Sequence, residues 1–258
     1  MILFISNGGP LSTHLATLLS QSQPLTHKVL PKKVCLSVYS DLLNALDSLF
    51  KKARIVIDFT GETRSRSFMH TGNVTVPLLI AKKSLYYGCH HVIISSLAAL
   101  NYQLTSRQQL ISKDSFYRYS QSKATCVDQL RHLRQNSSFL HHIIYCGRIT
   151  DNYKRTMRGG RLSSYLSFIA RHTTILRDST LPFSSIQDLA RQILEIVSDP
   201  CLHGNELICA RSLYLKDLSH STKGCMASSS NYLPDFFLGI ISLFSYRLYV
   251  HALYLMAR

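Results

Sequence analysis

The chain has 258 residues, 46% of them apolar, which is enough to fill the core of an α/β domain and excludes a disordered or fibrous protein. Its seven cysteines (Cys35, Cys89, Cys126, Cys146, Cys201, Cys209 and Cys225) are scattered without a Cys-x-x-Cys pair. That pattern excludes a disulfide framework or zinc knuckle and fits reduced thiols in a cytoplasmic protein. The formal charge of +15 is dispersed in pairs such as Lys32 and Lys33, Lys51 and Lys52, and Lys82 and Lys83, so a solvated basic surface is expected and nucleic-acid binding is not.

The opening stretch MILFISNGGP lacks the basic flank and long apolar run of a secretory signal and reads as a strand, so export is not expected. A turn at Asn7-Gly8-Gly9-Pro10 follows, and LSTHLATLL then repeats leucine at helical spacing. From Asp41, DLLNALDSLFKK sets Leu42, Leu43, Leu46, Leu49 and Phe50 on one helical face, with lysines at the end the helix dipole favours. RIVIDFTG predicts a buried strand closed by Gly61. NVTVPLLIAKKSLYYG predicts a helix with Pro77 in its first turn, and HHVIISS a third buried strand ending in Ser95 and Ser96.

About twenty polar residues precede a helix that carries Tyr119 and runs to about Gln135, and FLHHIIYCG is a further strand. The pattern loosens through the basic span 150–180. SSIQDLARQILEIVSD then predicts a capped helix and NELICA a short strand. The tail FFLGIISLFSYRLYVHALYLMA is interrupted by Arg247 and His251, and its longest uncharged run falls short of a membrane span. A packing helix is expected there, with an interfacial membrane-surface or partner-binding helix as the alternative.

Strands alternating with helices predict an α/β fold, a Rossmann-like doubly wound parallel sheet whose strands' carboxyl ends form the ligand crevice. Residues 1–150 would form its core. Residues 151–258 would form a small substrate lobe, return a helix and strand (183–210) to the core, and end in the apolar helix at about 233–257. The whole is effectively one domain.

Tyr119 lies four residues before Lys123, a spacing that chance supplies readily in a chain with 14 tyrosines. Its setting is more specific: a glycine turn after the first strand, FTG after a middle strand, ISS after the next, and the tyrosine and lysine on the following helix. This order resembles the short-chain dehydrogenase/reductase superfamily, in particular its extended and atypical branch of NAD-dependent sugar epimerases and dehydratases. The resemblance is carried by ILFISNGGPLSTHL, ARIVIDFTG, GNVTVPLLIAKKSLYYGCHHVIISSLAAL, YSQSKA, PFSSIQDLARQILEIV and GNELICA, and it covers nearly the whole chain.

The resemblance implies roles for particular residues. Tyr119 would be the general acid or base, Lys123 would favour its phenolate and hydrogen-bond the nicotinamide ribose, and Ser96 would hold the reacting oxygen. NAD or NADP would lie against Ser6, Gly8, Gly9, Pro10, Leu11, Ser12, Asp41, Thr60, Gly61 and Lys123. The substrate would be a small molecule, a nucleotide-activated sugar used for surface polysaccharide, and a homodimer is common in the family.

Three departures accompany the match. Where the family has three glycines the chain has Ser6, Gly9 and Ser12, with Gly8 additional; Ser12 is small enough to pack, cap the helix and offer its hydroxyl to phosphate. THKVLPKKV carries no carboxylate for a ribose, whereas Lys32 and Lys33 suit a 2'-phosphate. Asp41 either holds an adenine amine or caps its helix. In the substrate half, Tyr145-Cys146 stands where relatives often have an arginine-proline pair and the C-terminal lobe is short, while Arg148, Arg155, Arg158 and Arg161 suit a diphosphate or form a solvated loop. Cys89-His90-His91 and His141-His142 lack a further ligand at metal spacing, so no metal is expected. Asp58 is expected to be a hydrogen-bonding strand-end residue.

Two functions follow from the resemblance. One is an NAD(P)-dependent sugar epimerase, dehydratase or oxidoreductase, cytoplasmic or peripheral to a membrane. The alternative is a non-catalytic subunit of the same fold that binds a dinucleotide for assembly or regulation.

Overall fold

The computed structural model describes residues 1–31, 35–62, 65, 67–100, 115–135, 140–150, 180–199 and 206–214. Chain order is β1 (Ile2–Ser6), α1 (Pro10–Ser20), β2 (Leu25–Val29), α2 (Leu36–Asn44), α3 (Asp47–Lys52), β3 (Ile55–Phe59), a π-helical turn (Thr71–Thr75), α4 (Val76–Tyr86) and β4 (His90–Ser96). Then come α5 (Ser115–Gln135), β5 (His141–Cys146), β6 (Arg148–Thr150), β7 (Thr180–Ser185), α6 (Ile186–Ser198), β8 (Glu206–Cys209) and β9 (Arg211–Tyr214). Two compact units result, one of Met1–Cys146 with Ile186–Cys209 and the other of Gly147–Ser185 with Ala210–Arg258.

The first unit is a six-stranded sheet in the order β2-β1-β3-β4-β5-β8, parallel throughout. Every residue of β1 and β5 is buried, because helices cover both faces and neither pleat can carry polar groups at low cost. Leu3, Ile5 and Val56 meet Leu43 of α2, Phe50 of α3 and Ile80 of α4, while Ile93, Ile143 and Tyr145 meet Ala124, Val127 and Leu130 of α5. The opposite pleat, including Phe4, Ile57, Val92 and Ile144, is as fully buried. α1 and α6, which pack on each other, cover that side.

β1 has β2 on one side and β3 on the other, so the order reverses beside β1 and opens a crevice at the carboxyl ends of β1 and β3. At the sheet's far edge, the Arg131 guanidinium of α5 grips both Glu206 oxygens of β8, at 2.6 and 2.7 Å, and the Tyr145 hydroxyl donates to the same carboxylate. The hydrogen bonds from Arg131 hold the Glu206 carboxyl below the usual carboxylate range, and burial pushes the Tyr145 phenol up. In the second unit β7 pairs parallel with β6 and antiparallel with β9.

Two elements differ from the sequence expectation. The helix expected from Asp41 begins at Leu36 and is two helices, parted at Ala45–Leu46 where the Leu46 N–H bonds the Leu43 carbonyl in a tighter turn. The chain after α1, whose mixed composition gives no clear strand signal, forms β2 at the sheet edge, only partly buried. The apolar tail, Cys201, Cys225, Lys32, Lys33, Arg155, Arg158 and Arg161 lie outside the described residues. Among those described, no helix is long and apolar enough to cross a membrane.

The amino ends of β4 and β5 carry four buried histidines. His90 Nε2 lies 2.7 Å from His142 Nδ1 and His91 Nδ1 lies 3.0 Å from His141 Nδ1, so alternation along the strands puts one pair on each face. Burial, reinforced by His142 and Arg54, pushes His90 down to about 3; burial, with His142, Arg134 and His90, pushes His141 to about 3. Burial and His141 hold His91 well below the ordinary value. Among the described residues, no group of three or more His, Cys, Asp or Glu is placed to hold a metal ion.

These histidines make folding pH-sensitive in a fixed direction. The folded pKa values of His90, His91 and His141 lie below the unfolded 6.5, so the stability they allow is full above pH 6.5 and is lost as pH falls toward 3. Each neutral histidine contributes a slope of up to about 1.4 kcal/mol per pH unit in that window. Urea midpoints should therefore fall more steeply below about pH 6 in the natural chain than in His91→Leu/His141→Leu. Parallel pH profiles for the two would contradict it.

Candidate active site

The β1–α1 turn is built by backbone that only glycine adopts without strain: Gly8 has φ 73° and Gly9 φ 115°. A Cβ on Gly8 would sit 3.0 Å from Val29 Cγ1, whereas one on Gly9 would meet nothing within 4 Å. Gly9 is therefore open to an approaching group. Pro10 occupies the first turn of α1, where its missing N–H costs nothing, and no side chain caps that helix. The first-turn amides are thus left to bind an anion, with the positive end of the helix dipole behind them.

Both serines that stand where the family has glycine are buried and committed to the turn. The Ser6 hydroxyl accepts the Gly8 N–H at 3.1 Å and contacts His27 Nε2 at 2.9 Å. Ser12 donates to the Gly9 carbonyl at 2.9 Å, so its hydroxyl braces the turn and does not cap the helix. Leu11 completes the first turn of α1.

The end of β3 meets this turn through one bond: the Gly61 N–H donates to Asn7 Oδ1 at 2.7 Å. Asp58, fully buried one residue before the strand end, accepts the Thr60 N–H at 2.8 Å and the Thr60 hydroxyl at 2.6 Å. Burial raises its pKa, opposed by those two bonds and by the Lys123 charge. This matches the hydrogen-bonding strand-end role expected for it.

Lys123 is buried, 5% exposed, although it is a lysine on a helix. A Cβ on Gly61 would stand 3.1 Å from its Nζ and 3.2 Å from Asn73 Oδ1, so glycine is what lets the ammonium and the amide approach the β3 end. Tyr119, half-buried, precedes it by one helical turn on the same face of α5. The Cys126 thiol, in the same surroundings as Lys123, is pushed up to about 12 by burial and stays protonated.

Asn73, fully buried in the π-helical turn, joins these parts. Its Oδ1 accepts the Glu62 N–H at 2.9 Å, and its Nδ2 donates to the Glu62 carbonyl at 2.8 Å and to the Ser122 hydroxyl at 3.1 Å. Ser122 in turn donates to the Tyr119 carbonyl at 2.7 Å. Ser96 ends β4 with its hydroxyl accepting the Ala98 N–H at 3.2 Å, and Ser95 beside it is buried.

The structure thus places the Gly8–Gly9 turn, Thr60, Gly61 and Lys123 together at the crevice, and Ser96 at the next strand end. A small cavity lined by Asn7, Tyr39, Gly61, Glu62 and Gly72 lies between the turns; a larger groove between α1 and α6 holds none of these groups. Asp41 is exposed within α2, and Cys35 stands at that helix's cap. Sequence reasoning missed Asn7, His27 and Asn73. For Asn73 the usable signal is the asparagine in GNVTVP just ahead of Pro77, where the helix starts irregularly.

No protein-family model matches the chain, and no curated protein matches it by sequence. Solved structures do match it by fold. The capsular polysaccharide assembling protein CapF of Staphylococcus aureus aligns over 85% of this chain and 57% of its own, at 14% identity and TM-score 0.56. UDP-glucose 4-epimerase of Thermotoga maritima, with UDP-glucose, aligns over 85% of this chain and 81% of its own, at 12% identity and TM-score 0.58. A short-chain dehydrogenase/reductase superfamily protein of Agrobacterium tumefaciens, with bound NAD, aligns over 86% and 81%, at 12% identity and TM-score 0.60. The chain shares the fold of these structures, a parallel sheet with helices on both faces.

Asn73→Leu keeps the branched shape but leaves the Glu62 N–H and carbonyl and the Ser122 hydroxyl without the side-chain amide that bonds them. We expect a loss of about 2 to 4 kcal/mol in chemical denaturation. A loss below about 0.5 kcal/mol would contradict the bridging role.

Proposed function

We propose that the chain is a nicotinamide-dinucleotide-dependent oxidoreductase or epimerase acting on a sugar, most readily a nucleotide-activated one. The observation that carries this is Lys123, a buried ammonium drawn against Gly61 in the crevice and one helical turn from Tyr119.

The residues present fit a dinucleotide. The open approach at Gly9, the uncapped α1 amides of Leu11 and Ser12, and the left-handed Gly8 form a cradle for a pyrophosphate, with Ser6 and Pro10 shaping it. Thr60 and Gly61 would line the next stretch and Asp41 the adenine side. Lys123 would hydrogen-bond a ribose. With no carboxylate at the end of β2, and Lys32 and Lys33 in sequence just beyond, NADP suits the site as well as NAD. When bound, the nicotinamide would supply the hydride acceptor.

The chain's own residues would handle the proton. Lys123, one helical turn from Tyr119 on the same face of α5, would support the phenol in that step. Tyr119 would take the proton of a sugar hydroxyl, or return one to a carbonyl. Ser96 would hold the reacting oxygen. Epimerase, dehydratase and reductase chemistry share these roles. By the same resemblance residues 151–258 would be the substrate lobe, and the charge of Arg148, Arg155, Arg158 and Arg161 suits a diphosphate.

A non-catalytic role has one specific observation in its favour. Ser6 consumes the Gly8 N–H and Ser12 turns its hydroxyl back to Gly9, so the loop offers fewer donors to a phosphate. Thermal shift with NAD, NADH, NADP and NADPH separates the readings. A dinucleotide at 100 times its dissociation constant should stabilise the fold by about 2.7 kcal/mol. No shift with any of the four would overturn the dinucleotide reading. With binding established, Tyr119→Phe should keep the shift and lose at least about a hundredfold in turnover on a nucleotide-sugar panel, the usual worth of a general acid-base group. Unchanged turnover would remove Tyr119 from the mechanism.

A further inference from the structure

The Ser6–His27 contact lies under the dinucleotide turn and is not used by the chemistry above. Ser6 is fully buried at the end of β1, where a glycine would ordinarily make the tight turn. Its hydroxyl accepts the Gly8 N–H at 3.1 Å and lies 2.9 Å from His27 Nε2, with no other hydrogen-bond partner among the described residues. A hydroxyl has one hydrogen and two lone pairs, so Ser6 can accept the Gly8 N–H and give its own hydrogen to Nε2, which uses every group of the buried hydroxyl that the described partners can meet. In that arrangement Nε2 is the acceptor and the imidazole carries its hydrogen on Nδ1.

The ring is fitted to that task. It packs tilted on Phe4, centroids 4.9 Å apart, and Phe4 stacks on Phe59 of β3 at 6.1 Å. Burial lowers the His27 pKa, and no neighbouring charge contributes to that shift. His27 pairs in register with Phe4 on the edge strand β2, two residues ahead of the Val29 that limits Gly8. The chain of bonds runs from a half-buried edge-strand histidine to the amide of the left-handed glycine at the turn.

We propose that His27 is a positioning residue of the dinucleotide turn: by accepting the Ser6 hydroxyl hydrogen it aims Ser6 at the Gly8 amide and sets the turn that cradles phosphate. This rests on the dinucleotide reading for its ligand, but the bond itself is a property of the free chain. His27 acts through Ser6 and touches no reacting atom.

The test combines a ligand-free and a ligand-bound readout. In the free chain, exchange of the Gly8 amide with solvent should quicken about tenfold or more in His27→Leu and in Ser6→Ala, the worth of one buried hydrogen bond. His27→Gln, whose amide oxygen reaches where Nε2 does, should restore it. Calorimetry with NADH and NADPH should show His27→Leu binding about tenfold weaker, and His27→Leu/Ser6→Gly no weaker than Ser6→Gly alone. Unchanged Gly8 exchange in both His27→Leu and Ser6→Ala, or additive losses in the cycle, would overturn the proposal. If Gly8 exchange responds as expected while no dinucleotide binds, the positioning of the turn by His27 stands and the dinucleotide reading falls.

Discussion

The buried amide of Asn73 is the junction on which the crevice depends. An amide taken out of water without partners costs several kcal/mol, so a chain that buries one completely must bring its partners to it. Here those partners are the Glu62 main chain after β3 and the Ser122 hydroxyl on α5. Satisfying one side chain therefore fixes a strand end, an irregular helix start and the face of α5 that carries Tyr119 and Lys123. Asn7 repeats the device over a longer span, bonding Gly61 from the first turn. Lys123 reaches the β3 end because Gly61 leaves room for it, and Asn73 holds the loop where that room exists.

The two ends of the parallel sheet are specialised in opposite ways. At the carboxyl ends, left-handed glycines, an uncapped helix and a buried ammonium leave polar groups aimed toward one crevice. At the amino ends of β4 and β5, histidines contact one another in closed pairs. The first end carries groups a ligand would complete, and the second turns its polar groups inward. Parallel strands with buried faces allow this, since only their ends can expose functional side chains at low cost.

Much of this was legible in the sequence because it rests on local pattern. Apolar runs marked β1, β3, β4 and β5, and helical spacing marked α5 and α6 close to their true ends. The serines replacing glycine were visible as letters, and so was the tyrosine-lysine spacing. β2 was not, because an edge strand reading LTHKV buries too little to need an apolar run. The start of α2 at Leu36 was hidden for a related reason: its first turn exposes Leu36 and Ser37, which dilutes the helical stripe. Asn7, His27 and Asn73 were illegible because their partners lie far away in sequence, 54 residues distant for Asn7 and Gly61 and 21 for His27 and Ser6. Nothing local distinguishes such a side chain from a surface one.

The central claim is that a nicotinamide dinucleotide binds across the carboxyl ends of β1 and β3. Backbone chemical-shift mapping of the full chain titrated with NADH and with NADPH tests it most directly. The proposed site predicts perturbations gathered at Gly8, Gly9, Leu11, Thr60, Gly61 and the Tyr119–Lys123 turn, with His90 and His141 at the opposite end unmoved. Perturbations centred on the amino ends of the strands or on the α1–α6 groove, or none with either dinucleotide, would contradict it.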